Sequence, residues 1–442
     1  MKKILLTAFT ALAFQSAPAV QDQLLLRSEL SHPLLFAGET QSSYLKVGLT
    51  GFPMEPEAER APINVTIVLD RSGSMSGQKI AHARQAAKMA VSRLSARDIL
   101  SIVTYDDTVD VLVPATKLTH KKAIYAAIDE ITSGGSTALF AGISKGAEEL
   151  RKFKQAEAVN RIILLSDGQA NVGPQTPQEL GDLGSSLARE GIAVTTIGLG
   201  GGYNEDLMNQ LALRSDGTHS FVETPQELAA VFDQELGDLQ SVVAQAIEIE
   251  IEIADGIRPV RVLGREATIE GQKIKIALNQ LYAEQEKFLL VEYEIPASQA
   301  NRDQAIADAR VTYRNMKTDQ RETLETRSVA RLTDDPAAAE EAANKEVMIA
   351  VVDFLANERN FAAMRLRDQG KIEEAKAVLR ENALILDEAA TTYAAPRLRV
   401  EAGFNRDDAE NLIGAEWNEK RKAMTQRQNE KVTQNSGYRS KN

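Results

Sequence analysis

The chain has no cysteine in its 442 residues. That excludes disulfides, thiolate metal sites, a cysteine nucleophile and a lipid-modified cysteine. Histidine is nearly as scarce. His32, His82, His120 and His219 stand far apart, and none has the H-x-x-H or H-E-x-x-H spacing of a zinc site. Each reads as a surface or core residue rather than a base. Ser166 lacks the G-x-S-x-G context of a nucleophile elbow, and no G-x-x-x-x-G-K-[ST] lies near the strand at 64–70. IGLGGGY (197–203) contains G-x-G but has Tyr203 where a third glycine belongs, which favours a tight strand-to-helix turn over a nucleotide loop. No enzyme signature is left. Basic residues are also in deficit: 51 Lys and Arg face 63 Asp and Glu, for a net charge of −12. An acidic chain repels nucleic acid and anionic lipid, so neither is expected as a general partner. Long apolar runs are missing too, and no segment after the first twenty residues reads as an integral membrane span, which needs about 20 apolar residues.

What is present begins with an export signal. MKKILLTAFTALAFQSAPA places two lysines before an apolar run from Ile4 to Phe14, then the small residues Ala17-Pro18-Ala19. This is the order of a secretory leader, with cleavage expected after Ala19. Its loss would move the net charge to −14, because the segment carries Lys2 and Lys3 and no acid. A periplasmic or secreted location is the expectation.

The remaining length allows several cores. Residues 20–60 carry short apolar alternations and then the Pro/Glu-rich PMEPEAERAP, which reads as a linker. From 61 to 240 apolar strands alternate with helices: NVTIVLD (64–70), ILSIVTY (99–105), DVLVPAT (110–116), RIILLSD (161–167) and IAVTTIGLG (192–200). Helical periodicity falls between them, as where Ile80, Ala83, Ala87, Val91 and Leu94 share one face. The pattern predicts an α/β unit, a doubly wound and mostly parallel sheet covered on both faces. Residues 241–333 return to strand alternation in AIEIEIEIA, PVRVLG, EATIEG, KIKIAL, KFLLVEYEI and ARVTYR, predicting a β-sandwich that the strands before residue 60 complete. Residues 334–442 read as helical with a polar, frayed last dozen. Within them DQGKIEEAKAVLRENALILD (368–387) resembles half of a tetratricopeptide repeat, but a single unit predicts a plain helical hairpin.

The chemistry gathers at strand ends. Ligands of open parallel sheets bind beyond the carboxyl ends of the strands. The first α/β strand ends in Asp70, followed by Ser72 and Ser74; the loop SGGSTALFAG (133–142) offers Thr137; the strand at 161–167 ends in Asp167. A serine at 74 or 76 could cap the following helix. A cap would account for one serine, not for two carboxylates and three hydroxyls on one rim. Such oxygen-only donors suit a hard cation, Mg2+ first and Mn2+ or Ca2+ next. Asp106 and Asp107 are open to two readings, outer acids near the ion or a solvated turn. Arg71 and Met75 are expected to point outward at the rim, toward a partner.

The D-x-S-x-S at 70–74, a Thr in a Gly-rich second loop and an S-D-G after an apolar strand, in that order, resemble the metal-ion-dependent adhesion site (MIDAS) of von Willebrand factor A domains. The flanks are similar to the bacterial exported branch and to inter-alpha-trypsin-inhibitor heavy chains. The resemblance implies that Ser72, Ser74 and Thr137 are direct hydroxyl ligands, and that Asp70 and Asp167 bind the ion directly or through water. It also implies a non-enzymatic, cation-dependent protein-binding module in the envelope, with a partner's exposed Asp or Glu completing the ion's shell. The competing expectation is a metal-stabilised accessory subunit or scaffold without direct bridging. The oligomeric state is unread.

Overall fold

A computed structural model describes residues 23–54, 60–167, 170–414 and 417–434. The segment read as an export signal, the centre of the 53–62 linker and the last eight residues lie outside the described residues. Three strands come first: β1 (Leu25–Leu30), β2 (Leu34–Phe36) and β3 (Gln41–Thr50). The α/β unit follows with β4 (Ile63–Asp70), α1 (Gln78–Arg93), β5 (Ile99–Tyr105), β6 (Val109–Lys117), α2 (Lys121–Asp129), α3 (Leu139–Arg151) and β7 (Val159–Ser166). It ends with α4 (Pro177–Arg189), β8 (Ala193–Leu199), α5 (Glu205–Arg214), β9 (His219–Val222) and α6 (Pro225–Gln240). Its sheet has the order β6-β5-β4-β7-β8-β9, parallel except for the β5–β6 pair.

β4, β5, β7 and β8 are buried at every residue, so each must be apolar on both faces. Ile63, Val65, Ile67 and Leu69 of β4 pack with α1, α2 and α6 in one core; Val68 packs with α3, α4 and α5 in the other. The helix face anticipated at Ile80, Ala83, Ala87, Val91 and Leu94 is buried throughout. α3 lies so close to the sheet that a Cβ at Gly142 would press into the Tyr105 ring.

The later strands are β10 (Val242–Ile253), β11 (Arg258–Leu263), β12 (Thr268–Glu270), β13 (Lys273–Tyr282), β14 (Glu286–Ile295), β15 (Asp303–Asn315) and β16 (Arg321–Thr333). They form two sheets, β1-β3-β14-β11 and β12-β13-β10-β15-β16-β2, packed around a shared apolar core. β3 pairs with β14 over its full length and β2 with β16, so strands on both sides of the α/β unit build the sandwich. β16 was not anticipated. Most of its first half is exposed or half-buried and charged (RETLETR), which conceals the alternation that Ala330 and Leu332 keep inward.

The junction with the α/β unit is ionic and buried. Arg161 donates to Thr195 Oγ1 (2.8 Å) and to Tyr282 Oη of β13 (3.0 Å), and lies 3.7 Å from Glu235 of α6. Asp216 accepts from the Asn279 backbone (2.8 Å) and pairs with Arg265 and Lys287, both at 3.4 Å. The linker is not wholly free either: Arg60 is buried in a two-pronged pair with Asp98 at 2.8 and 2.6 Å.

The C-terminal part has α7 (Pro336–Glu341), α8 (Lys345–Asp368), α9 (Ile372–Thr392), α10 (Pro396–Glu410) and α11 (Trp417–Thr433). The hairpin expected at 368–387 is the α8–α9 turn, with Gly370 at φ 80° and Ala375 and Leu379 in the core. It is part of a larger helical layer, because α10 packs on α9 and α11 crosses α8 to reach α5 and β9. Residues 431–433, expected to fray, are the last turn of α11.

Candidate metal centre

β4 ends in Asp70, whose carboxylate is fully buried and turns back on its own loop, accepting the Ser72 N–H on Oδ1 (2.8 Å). Its Oδ2 accepts from Ser166 Oγ at the end of β7 (2.5 Å). The chain then makes a single 3-10 turn over Gly73–Met75, and α1 starts behind Gly77 with no side-chain cap. Neither Ser72 nor Ser74 is therefore used as a helix cap. Their hydroxyls lie 3.0 Å apart, and Ser74 Oγ donates across the rim to Asp167 Oδ1 (2.8 Å). Lys79, the second residue of α1, pairs with Asp167 Oδ2.

The second loop is joined to the first through backbone. Gly134 N–H donates to Arg71 O (2.8 Å) and Gly73 N–H to Gly135 O (3.0 Å). Gly135 sits at φ 72°, and a Cβ there would overlap the Asp107 carboxylate, so the crossing needs glycine. Thr137 follows, buried, its N–H held by Asn171 Oδ1 (2.8 Å) and its carbonyl accepting from the Asn171 and Val172 amides. Side-chain hydrogen bonds thus connect Ser74 to Ser72 and to Asp167, and Asp70 accepts the Ser72 backbone N–H. Thr137 joins them through its loop, not through its hydroxyl.

Burial pushes the Asp70 carboxyl above the usual carboxylate range; hydrogen bonds from Ser166 and Ser72 oppose this, and the nearby Asp167 charge adds to it. The hydrogen-bond partners of Asp70 are all neutral. A fully buried carboxylate with neutral partners, facing a second carboxylate and two hydroxyls, is a donor set that a cation would relieve. Among the described residues no cluster of three His, Cys, Asp or Glu side chains is placed to hold a metal. Any ion at this rim must accordingly take hydroxyl oxygens, which suits a hard divalent cation.

Two expectations need correction. Met75 does not face a partner: it is fully buried in the core beneath α1, filling the apolar side of the 3-10 turn. Arg71 is turned along the rim and held by Asp106 (3.1 Å) and Asp110 (2.6 Å), so its charge is already matched. Asp106 and Asp107 have structural roles. Asp106 anchors Arg71, and Asp107 accepts from the Ser136 N–H (3.3 Å). Sequence reasoning missed Lys79, Asn171 and the support that Ser166 gives Asp70. Only Ser166 carried a signal, as the neighbour of Asp167 in S-D-G.

The model of the von Willebrand factor type A domain matches residues 64–234. An uncharacterized Synechocystis protein, sll0103, is 28% identical over 242 residues, 52% of this chain and 57% of that protein. Rat inter-alpha-trypsin inhibitor heavy chain H3 is 28% identical over 165 residues, 35% of this chain and 18% of its own length. The chain thus spans less than two thirds of these relatives. The solved structure of a von Willebrand factor type A protein from Catenulispora acidiphila superimposes with a TM-score of 0.70 at 15% identity, covering 90% of both chains, which is a likeness of fold. With the sheet order and three rim loops in place, residues 64–234 are a von Willebrand factor type A domain, carried here between the strands of a β-sandwich.

Proposed function

We propose that Asp70, Ser72, Ser74, Thr137 and Asp167 hold a hard divalent cation, Mg2+ or else Mn2+ or Ca2+, and that the chain uses it to bind a protein partner. Von Willebrand factor A domains commonly mediate metal-dependent protein interactions. The observation that carries the reading is the cluster of oxygens at the rim: Ser72 and Ser74 cap no helix, their hydroxyls meet each other and, through Ser74, Asp167, while Asp70 is buried without a cationic partner. Asp70 and Asp167 supply the charge, the hydroxyls add neutral oxygen, and an ion so held keeps enough net charge to attract a partner's Asp or Glu. The role is binding, not catalysis. The N-terminal segment supports an exported, envelope-located protein, and among the described residues no helix is long and apolar enough to cross a membrane.

The test is crosslinked capture from envelope extracts, comparing wild type with Asp70→Ala, each with magnesium and with chelator. Partners lost under both perturbations are expected. Magnesium that raises the melting temperature while capture is indifferent to Asp70→Ala would replace bridging with a scaffold whose ion only braces the rim. No effect of magnesium on either readout would dispose of the ion altogether.

A further inference from the structure

The fourth loop of the rim, residues 200–204 between β8 and α5, contains three consecutive glycines and then Tyr203. A side chain at Gly202 would lie 3.7 Å from the Asp167 carbonyl, and one at Gly200 would lie 3.8 Å from Cε of Lys79, the residue paired with Asp167. The loop therefore forms the wall beside Asp167. Glycine runs have little conformational preference of their own, so this wall takes its position from its anchors. One anchor is the sheet, where Gly200 N–H donates to Val222 O (2.8 Å). The other comes from more than 200 residues further along the chain.

That second anchor is α11. Lys422, itself buried, donates to Glu205 Oε2 (2.9 Å) and lies 5.0 Å from the centre of the Tyr203 ring. Arg421 donates to Glu205 (2.6 Å), to both Asp206 oxygens (3.1 and 2.9 Å) and to Asp368 of α8 (2.8 Å). Gln426 accepts the Phe221 N–H at the open edge of β9 (3.2 Å), and Gln434 pairs with both backbone groups of Phe288 in β14 (2.6 and 2.8 Å). α11 has few apolar residues to bury, chiefly Trp417, Met424 and Val432, alongside Thr425, Gln428 and Asn429. Its seating on the α/β unit rests on charge-assisted bonds to Glu205 and Asp206, the first two residues of α5 directly behind the glycine loop.

We propose that α11 is a positioning element for the rim: Arg421 and Lys422, through Tyr203 and Glu205, set loop 200–204 against Asp167, so cation binding and the seating of α11 are linked. The inference rests on the reading of the rim as a cation site. Linkage is reciprocal. Loosening α11 weakens the ion, and adding the ion tightens α11.

The full-length protein is titrated with Mn2+ by calorimetry, and amide exchange in α11 is followed with and without Mn2+. Lys422→Met and Arg421→Gln are expected to weaken Mn2+ binding about fivefold or more, within the usual range of coupling between sites. Arg421→Lys keeps the charge and is expected to retain most of the affinity. Arg380→Ala, which breaks an exposed pair with Glu410 in the same helical layer, is expected to leave affinity unchanged. Mn2+ is expected to slow exchange in α11 of the wild type, a readout that needs no variant to fold. Equal Mn2+ affinity in wild type and Lys422→Met, with α11 exchange unmoved by the ion, would overturn the linkage and leave the rim reading intact. A wild type that binds no Mn2+ would overturn both.

Discussion

Two pairs of acids are taken out of water in this protein and are neutralised in opposite ways. At the sandwich junction Asp216 faces Lys287 and Arg265, and Glu235 faces Arg161 with Thr195 and Thr218 donating at 2.7 Å. Burial would raise Asp216, yet the Lys287 and Arg265 charges hold its carboxyl below the usual range. At the rim Asp70 is pushed the other way by burial, and its partners are a backbone amide and serine hydroxyls. The junction is closed by the chain's own cations. The rim is not closed in that way: among the described residues Lys79 alone pairs with Asp167, from a half-exposed position, and Asp70 has no cation beside it.

Removing one acid from each region should separate the two designs. Asp216→Ala strands Lys287 and Arg265 in the junction and should cost about 3–5 kcal/mol. Asp70→Asn in chelator deletes a desolvated charge that has no counter-charge and should cost under about 1 kcal/mol. Urea unfolding of both variants in chelator checks this, and equal losses would erase the distinction.

A second contrast concerns His219, buried between Thr196 (2.9 Å) and Tyr203 (3.2 Å). Burial lowers it to about 4, against an opposing pull from Glu205. The unfolded imidazole titrates near 6.5. Between the two values the unfolded chain binds the extra proton, so stability is full above about 6.5 and falls as pH drops toward 4. The loss approaches about 3 kcal/mol. His219→Gln should flatten that part of the stability–pH profile, measured by urea midpoints from pH 7 to 4.5. A slope unchanged by the substitution would assign it to other groups.

The smallest effect belongs to the outer face of the β10–β16 sheet. There Arg327 and Asp308 pair at 2.6 Å in full contact with water. Arg327→Ala should leave the urea unfolding midpoint essentially unmoved, because an exposed pair is screened by water. A larger loss would mean that surface charge supports the fold as the junction does.

The α/β unit was legible because its signals are local. NVTIVLD and RIILLSD cannot be half-exposed strands, and the helices between them show their buried faces at three- and four-residue spacing. The rim was legible because parallel strands deliver their ends to one side, so Asp70, Thr137 and Asp167 needed only their order. Met75 was misplaced because a 3-10 turn, in place of an open rim loop, rotates it inward. β16 was hidden by charged residues on an exposed face. Arg161, Asp216, Lys79 and the grip of Arg421 and Lys422 on Glu205 carried no sequence signal. Their partners are 34 to 217 residues away in the chain — a distance over which charge alone names no partner.

The insertion of the α/β unit into the sandwich also fixes how it can be pulled. Its two covalent connections leave from one pole: Ile63 N–H is held by Asp98 (3.0 Å), and Gln240 at the end of α6 reaches Arg93 O (3.4 Å), the end of α1. The rim lies at the opposite pole, at the carboxyl ends of β4 and β7. Tension between a partner on the rim and the sandwich would run lengthwise along those central strands and be shared by two chain connections. Parallel strands loaded in that direction resist by shearing all their hydrogen bonds together, where a hairpin pulled from one end would unzip them one by one.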